Sequence, residues 1–523
     1  MAFYSGETQP ANVAPKKHGI ILCMLLAAGA VLASFLWQGH MGISIADEGY
    51  LWYGAQRVLL GEVPLRDFIS YDPGRYYWVA MIMTLLRNDG IIALRIANAI
   101  IQAMGLFLAL VLLSRGSQKR SFFFLLTATI TMIFWMFPWF KLFDISLTIA
   151  LIGILTFLAE RPTRKRYFLS GLGIGFIAAL CRQQGTLGAV GGLGVMAYLA
   201  INRPEGPGFF RGLFIWLTGI VTGYAPAFLM FFLVPGYAVA FWNSMHVYLF
   251  EMNHRLAGSI PVPWPWLAPL GRASFGAVVR WILSGLFFMA PIIFGAVGMV
   301  WAVYQNLRKR AVSPLLVACA FLALPLVWYV FIAPDISRLG LGIFPFLIWG
   351  LSFLNNRQAR AKWPLIGVLC GATILVMLPN HPGWSRNRYV EVDLGGDRLK
   401  IYPETAKYFA MLNELVEDFA PNGRGFLVLP RLTTSYAVLR RKSPMLETYT
   451  FFPRSEASQL AEIERIKSAD PGFAIIYDES GIWLPFRETH PLIYQYILDH
   501  FEPLTGYASS PKYQLYKSRK NAL

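Results

Sequence analysis

Two adjacent carboxylates, Asp47 and Glu48, open the stretch of this chain best equipped for chemistry, IADEGYLWYGAQRVLLGEVPLRDFISYDPGRYYWVAMIMTLL over residues 45–86. A second acid, Asp144, stands in Trp139-Phe-Lys141-Leu-Phe-Asp144-Ile-Ser, with Lys141 one turn before it. A carboxylate takes a proton from a hydroxyl as a general base, and carboxylate oxygens suit hard divalent cations. Asp47 and Asp144 are therefore candidates for a base or for a metal site holding Mg or Mn. Each Asp also sits where a helix begins, so each has an alternative as an N-cap. Glu48 weakens that alternative at the first site, because one cap needs one acceptor. Cations that could hold an anionic group are Lys141, Arg66, Arg75, Arg182, His246, Arg255 and Arg338. Arg suits phosphate by its fork, but Arg182 could equally snorkel to an interface and Arg338 could pair with Asp335. His246, Glu251, His254 and Arg255 lack the HExxH spacing of a zinc protease.

These residues need elements to hold them, and the composition says which. The 523 residues are 56% hydrophobic and 14% charged, against about 25% charged in soluble chains. Apolar stretches of spanning length fall near 19–38, 91–113, 121–139, 144–159, 168–184, 186–201, 212–234, 281–304, 314–333, 337–354 and 363–379. With eleven spans and a cytoplasmic N-terminus, every basic cluster between spans falls on one side: Lys16–Lys17, Arg115–Arg120, Arg161–Arg166, Arg203–Arg211, Arg308–Arg310 and Arg357–Lys362. The net charge of +17 is thus a topology signal rather than a nucleic-acid surface. A cleaved signal peptide ending at Ser44-Ile45-Ala46 is the competing reading of the first span, but its apolar run is long for one. The glycines at 171, 173 and 175 lie inside an apolar span and read as helix packing, not as a nucleotide loop.

The loop 39–90 then lies outside, with two short interfacial helices at 49–60 and 75–87. So does the tail, where strands at 426–429, 473–477 and 513–516 alternate with helices at 403–419, 455–468 and 488–500, an α/β pattern. The four cysteines lie in or beside apolar segments, too scattered for a zinc pattern, and read as buried free thiols. No Asn-x-Ser/Thr sequon occurs, which favours a bacterial periplasm for the tail.

Several motifs together resemble the GT-C glycosyltransferases, which include the lipid A aminoarabinose transferases and protein O-mannosyltransferases. They are the acidic pair before Tyr50, Gly61-x-x-Pro-x-Arg66-Asp67-Phe68, Tyr71-Asp72-Pro73, Ala93-Leu94-Arg95, Lys141-Leu-Phe-Asp144, Ser170-Gly-Leu-Gly-Ile-Gly and Cys181-Arg182-Gln-Gln184-Gly185. The likeness is at motif level over roughly the first 190 residues and in layout beyond, through Phe241-Trp242, Ser337-Arg338 and the tail. It implies a polytopic α-helical GT-C fold of about eleven spans (1–379, catalytic loop 39–90) and an extracytoplasmic α/β domain (380–523). It implies an inverting transfer of sugar from a polyprenyl-phosphate donor to a lipid, glycan or protein acceptor at the bacterial inner membrane. Asp47 inherits the family's essential carboxylate, with Glu48 beside it, and Asp144 its second. Where the aminoarabinose transferases carry Glu-Lys-Pro, this chain has Tyr71-Asp72-Pro73-Gly74-Arg75, so Arg75 stands in for the phosphate-binding lysine. A transporter of lipid-linked sugars is the alternative. It predicts charge through mid-membrane and inverted repeats, whereas these charges gather at one face.

Overall fold

The computed structural model describes residues 17–115, 121–202, 206–247, 261–356, 362–450, 452–477, 484–507 and 512–522. The chain forms two compact units: Met1–Trp37 with Asn98–Pro226 and Pro261–Trp384, and Gln38–Ala97 with Ala227–Ile260 and Ser385–Leu523.

The first unit is helical. Each of the eleven expected spans contains helix. Among the described residues seven helices are long and apolar enough to cross a membrane: His18–Gln38, Ile91–Arg115, Trp139–Glu160, Arg182–Ile201, Phe275–Leu307, Pro314–Ile332 and Lys362–Asn380. Two further candidates are helix pairs bent at a short break, Phe209–Gly223 with Ala225–Leu233 and Ile336–Gly342 with Phe344–Asn356. The other two stretches form shorter helices, Phe122–Trp135 of 14 residues and Arg164–Leu180 of 17. Helix is the form such segments must take, because hydrocarbon leaves no other partner for the backbone polar groups. The chain is an integral membrane protein.

Glycine decides one packing contact here. A Cβ on Gly171 or Gly175 would run into the carbonyl oxygens of Trp216 and Ile220, and one on Gly219 or Gly223 into those of Phe168 and Leu172. Helices Arg164–Leu180 and Phe209–Gly223 thus approach backbone to backbone, the helix-packing role expected of these glycines. Cys23, Cys181, Cys319 and Cys370 are all buried thiols outside any disulfide, as expected.

The second unit combines the 39–90 loop with the tail. The loop forms helices Asp47–Leu59 and Pro73–Leu86, close to the two expected. The tail begins with a hairpin, β1 (Val390–Leu394) and β2 (Asp397–Ile401), that the sequence reading missed. A four-stranded sheet follows, built from β3 (Leu427–Leu429), β4 (Phe473–Tyr477), β5 (Phe501–Pro503) and β6 (Tyr513–Ser518) in the order β3-β4-β6-β5. β3 and β4 are parallel, with Val428 opposite Ile475, and β6 runs antiparallel to both neighbours. Helices Pro403–Phe419, Glu456–Ala469 and Pro491–His500 alternate with the strands as expected. Leu427, Leu429, Ile463, Ile466, Ala474, Ile476, Ile493, Ile497 and Phe501 make one buried core. Burying such side chains stabilises by roughly 1.5–3 kcal/mol each.

Candidate functional site

Helix Asp47–Leu59 carries the acidic pair, and neither acid is its N-cap. That position belongs to Ala46, which has no side-chain oxygen to offer. The turn before the helix is closed instead by Ser44, whose Oγ accepts the Asp47 N–H at 3.2 Å and whose carbonyl accepts from Gly49 at 3.3 Å. Both acids fall in the first helical turn, where the helix dipole favours negative charge.

The two carboxylates have different surroundings. Glu48 is 2% exposed and takes the Arg95 fork on both oxygens, Nε to Oε1 at 2.7 Å and Nη2 to Oε2 at 2.9 Å. Arg95, fully buried, also donates to the carbonyls of Gly39, Met41 and Gly42, at 2.8, 3.3 and 2.6 Å. Glu48 is therefore a buried tie that shapes the turn. The Ala93-Leu94-Arg95 motif supplies its partner.

Asp47 is half-buried, and its Oδ1 accepts a hydrogen bond from the Tyr449 hydroxyl at 3.0 Å. Among the described residues, its Oδ2 takes no hydrogen bond. Tyr449 was missed by the sequence reading, being one tyrosine among 24 and 402 positions away. Burial, reinforced by the Asp47 charge, pushes its phenol well above the ordinary value, so the hydroxyl keeps its proton and acts as donor. Burial likewise raises Tyr50 well above the ordinary value.

From Tyr449 a series of aromatic contacts leads to Arg75. Tyr50 lies 5.2 Å from the Tyr449 ring and 4.9 Å from Tyr71, and the Arg75 guanidinium sits 5.2 Å from the Tyr71 centroid. Tyr71 is 38% exposed and Arg75 only 6%. A carboxylate, aromatic faces and a buried cation along one path match what a sugar and an anionic leaving group require.

The other predicted residues of this unit are placed differently. Arg66 forms a fork with Asp67, at 2.9 and 2.7 Å, and donates to the Pro235 carbonyl at 3.2 Å. Arg66 holds Asp67 below the usual carboxylate range despite the opposing effect of partial burial. The predicted phosphate ligand is thus already engaged by its neighbour. His246 is exposed in the last turn of helix Tyr237–His246. Arg255, with Glu251 and His254, lies outside the described residues.

In the helical unit, Asp144 is in the first turn of helix Leu142–Glu160, 7% exposed, and Lys141 is the N-cap. The capping alternative for Asp144 therefore falls too. Its Oδ1 lies 3.4 Å from the Cys181 thiol, which donates to it. Lys141 sits 5.6 Å from the Phe140 ring centroid. Arg182, half-buried, opens helix Arg182–Asn202, and Gln184 accepts from the Thr148 hydroxyl at 3.1 Å. Asp335 caps helix Ile336–Gly342 by accepting from the Ser337 N–H at 2.6 Å, while Arg338 packs over Tyr329 at 5.9 Å.

Among the described residues no three His, Cys, Asp or Glu side chains come together as a metal cage would need. The Tyr449 hydroxyl donates to one oxygen of Asp47 and the Cys181 thiol to one oxygen of Asp144.

Comparison with solved structures gives the fold a reference. ArnT from Cupriavidus metallidurans, in its crystal structure bound to undecaprenyl phosphate, aligns at a TM-score of 0.55 and 12% identity over 96% of this chain and 98% of that one. Its apo form aligns at 0.54 and 13% identity over 94% and 97%. No protein-family model matches the chain, and a search of curated proteins finds no significant relative. The likeness is one of fold: the chain has a GT-C-like fold along almost its whole length.

Proposed function

We propose that the protein is a glycosyltransferase that moves a sugar from a polyprenyl-phosphate donor to an envelope acceptor. The acceptor is a lipid such as lipid A, a polysaccharide or a protein, and transfer takes place on the periplasmic side of the bacterial inner membrane. The observation that carries this reading is Asp47, a first-turn carboxylate with one oxygen held by Tyr449 and no hydrogen bond on the other among the described residues. The matching ArnT structure holds undecaprenyl phosphate, which supports the choice of donor.

The phosphate of a polyprenyl-phosphate sugar departs without needing a proton, so one base suffices, unlike the two carboxylates of glycoside hydrolysis. In this reading Asp47 Oδ2 takes the acceptor hydroxyl proton as the acceptor oxygen bonds to the anomeric carbon. The bond from that carbon to the phosphate oxygen breaks with inversion, and the electron pair leaves on the phosphate. Arg75 stabilises that charge, and Tyr71 offers its exposed ring to the sugar. Asp144, with Lys141 three residues before it and Arg182 next in sequence to its partner Cys181, is the second functional carboxylate, and Arg338 a further cation for the lipid headgroup. No step is routed through a metal.

The test is mass spectrometry of envelope glycans and polyprenyl-phosphate sugars in wild-type, Asp47→Asn and Asp144→Asn cells with matched protein levels. Loss of one sugar from a glycan, with build-up of its lipid-linked donor, is expected for Asp47→Asn and names the sugar by mass. Unchanged pools in that variant would overturn the proposal.

A further inference from the structure

We infer that Tyr449 is a positioning residue of the Asp47 site, so that the C-terminal tail supplies part of the catalytic machinery; this rests on the transferase reading above. The Tyr449 hydroxyl donates to Asp47 Oδ1 at 3.0 Å, fixing the rotation of the carboxylate and turning Oδ2 to the reactant. A base that swings freely seldom presents the right lone pair, and fixing one oxygen removes that loss.

The mounting of Tyr449 is itself rigid. On one side, Glu447 is 5% exposed and receives the Arg454 fork through Nε and Nη2, at 2.9 and 2.5 Å, with the His490 ring 3.9 Å away. Burial opposes ionisation of Glu447, but Arg454 and His490 outweigh it and leave the carboxyl below its ordinary range. On the other side, the Thr450 N–H and hydroxyl both donate to the Pro430 carbonyl, at 2.8 and 3.0 Å. Thr433 Oγ donates to the Thr448 carbonyl at 3.0 Å. The receiving helix is tied to the same segment, since Thr434 donates to the Ile45 carbonyl from its hydroxyl at 2.6 Å and its N–H at 3.2 Å. Donor and acceptor are therefore held to a common frame from both ends. The aromatic ring adds contact with Tyr50, which a phenylalanine would keep.

The experiment uses the full-length protein in lipid nanodiscs, with the polyprenyl-phosphate sugars that accumulate in Asp47→Asn cells as donor, envelope extract of the same cells as acceptor, and released polyprenyl phosphate as readout. Tyr449→Phe keeps the ring and removes the hydroxyl. The expected result is a fall in kcat of about tenfold with the donor KM changed less than twofold, because a reactant still binds but meets a loosely held base. Tyr449→Phe added to Asp47→Asn is expected to cost nothing further, as the hydroxyl acts only through that carboxylate. Wild-type kcat in Tyr449→Phe, or a tenfold loss that persists in the Asp47→Asn background, would refute the positioning role and leave the transferase reading standing. Wild-type turnover in Asp47→Asn would instead remove the base on which both rest. Thermal unfolding of Tyr449→Phe within about 2 °C of wild type separates the expected loss from simple misfolding.

Discussion

Replacing Glu48 by Gln tests whether the acidic pair is one functional unit or two groups with separate duties. Its partner Arg95 is wholly buried, and the shorter contact between them is 2.7 Å. Two unit charges centred about 4 Å apart attract by about 4 kcal/mol at an effective dielectric of 20. Removing one member of a buried pair costs about 3–5 kcal/mol, because the remaining charge stays in place without compensation. Three carbonyls, of Gly39, Met41 and Gly42, soften that loss without cancelling the charge. Glu48→Gln should therefore lower the midpoint of thermal unfolding by roughly 5–10 °C, while kcat per folded molecule stays within about threefold of wild type. Arg95→Met should be at least as severe, since it strands Glu48 and the three carbonyls together. Unfolding of full-length protein in detergent, followed by tryptophan fluorescence, is read beside turnover on the same preparation. A Glu48→Gln protein with an unchanged midpoint and abolished turnover would refute this reasoning and make Glu48 catalytic after all.

Two further outcomes are expected. Burial raises the Glu462 carboxyl from 4.5 to about 7, the Arg465 charge opposing only in part, so the neutral form is the one the fold favours. Its contribution to stability is full below about pH 4.5 and is lost as pH rises through 7, about 3 kcal/mol in all; Glu462→Gln should flatten that slope, read from hydrogen exchange of the β4 amides between pH 5 and 8, and parallel slopes in the two proteins would refute it. A Cβ on Gly49 would overlap the Thr434 hydroxyl and lie 2.6 Å from its Cα, which no side-chain rotation relieves. Gly49→Ala should thus cost about 2–3 kcal/mol and raise protease sensitivity in the tail, whereas Gly29→Ala, with nothing within 4 Å, should not.

Much of this architecture was legible because it follows from short-range rules. Apolar runs of spanning length became helices, and the tail strands at 427–429 and 473–477 fell where buried β-branched and aromatic runs placed them. The hairpin β1–β2 was legible too: Val390-Glu-Val-Asp-Leu and Asp397-Arg-Leu-Lys-Ile alternate around Gly395-Gly396, whose φ of 62° and 92° match a two-residue turn. β5 gave no such signal, being three residues ending in Pro503 at the sheet edge. What could not be read was pairing at long range. Nothing in the sequence joins Tyr449 to Asp47, Arg95 to Glu48 or Cys181 to Asp144, because each contact depends on how distant elements pack.

The acidic pair shows why spacing alone misleads. Neighbours on a helix point about 100° apart, so Asp47 and Glu48 cannot share a face, and a reading that treats them as one pair of oxygens starts from the wrong geometry. Rotation about the axis sends Glu48 inward, where Arg95 neutralises it and gathers the carbonyls of residues 39, 41 and 42. That buried knot fixes the turn at Ser44, and the turn fixes where the helix starts. Asp47, one residue earlier, is thereby set at the N-terminal end, with the dipole favouring its charge and Tyr449 holding one of its oxygens. The structural acid thus has a mechanistic consequence. Cutting its tie should therefore reduce the share of molecules in which the turn is formed, while those that stay folded keep Asp47 where it is, which is why unfolding and turnover must be measured on the same Glu48→Gln preparation.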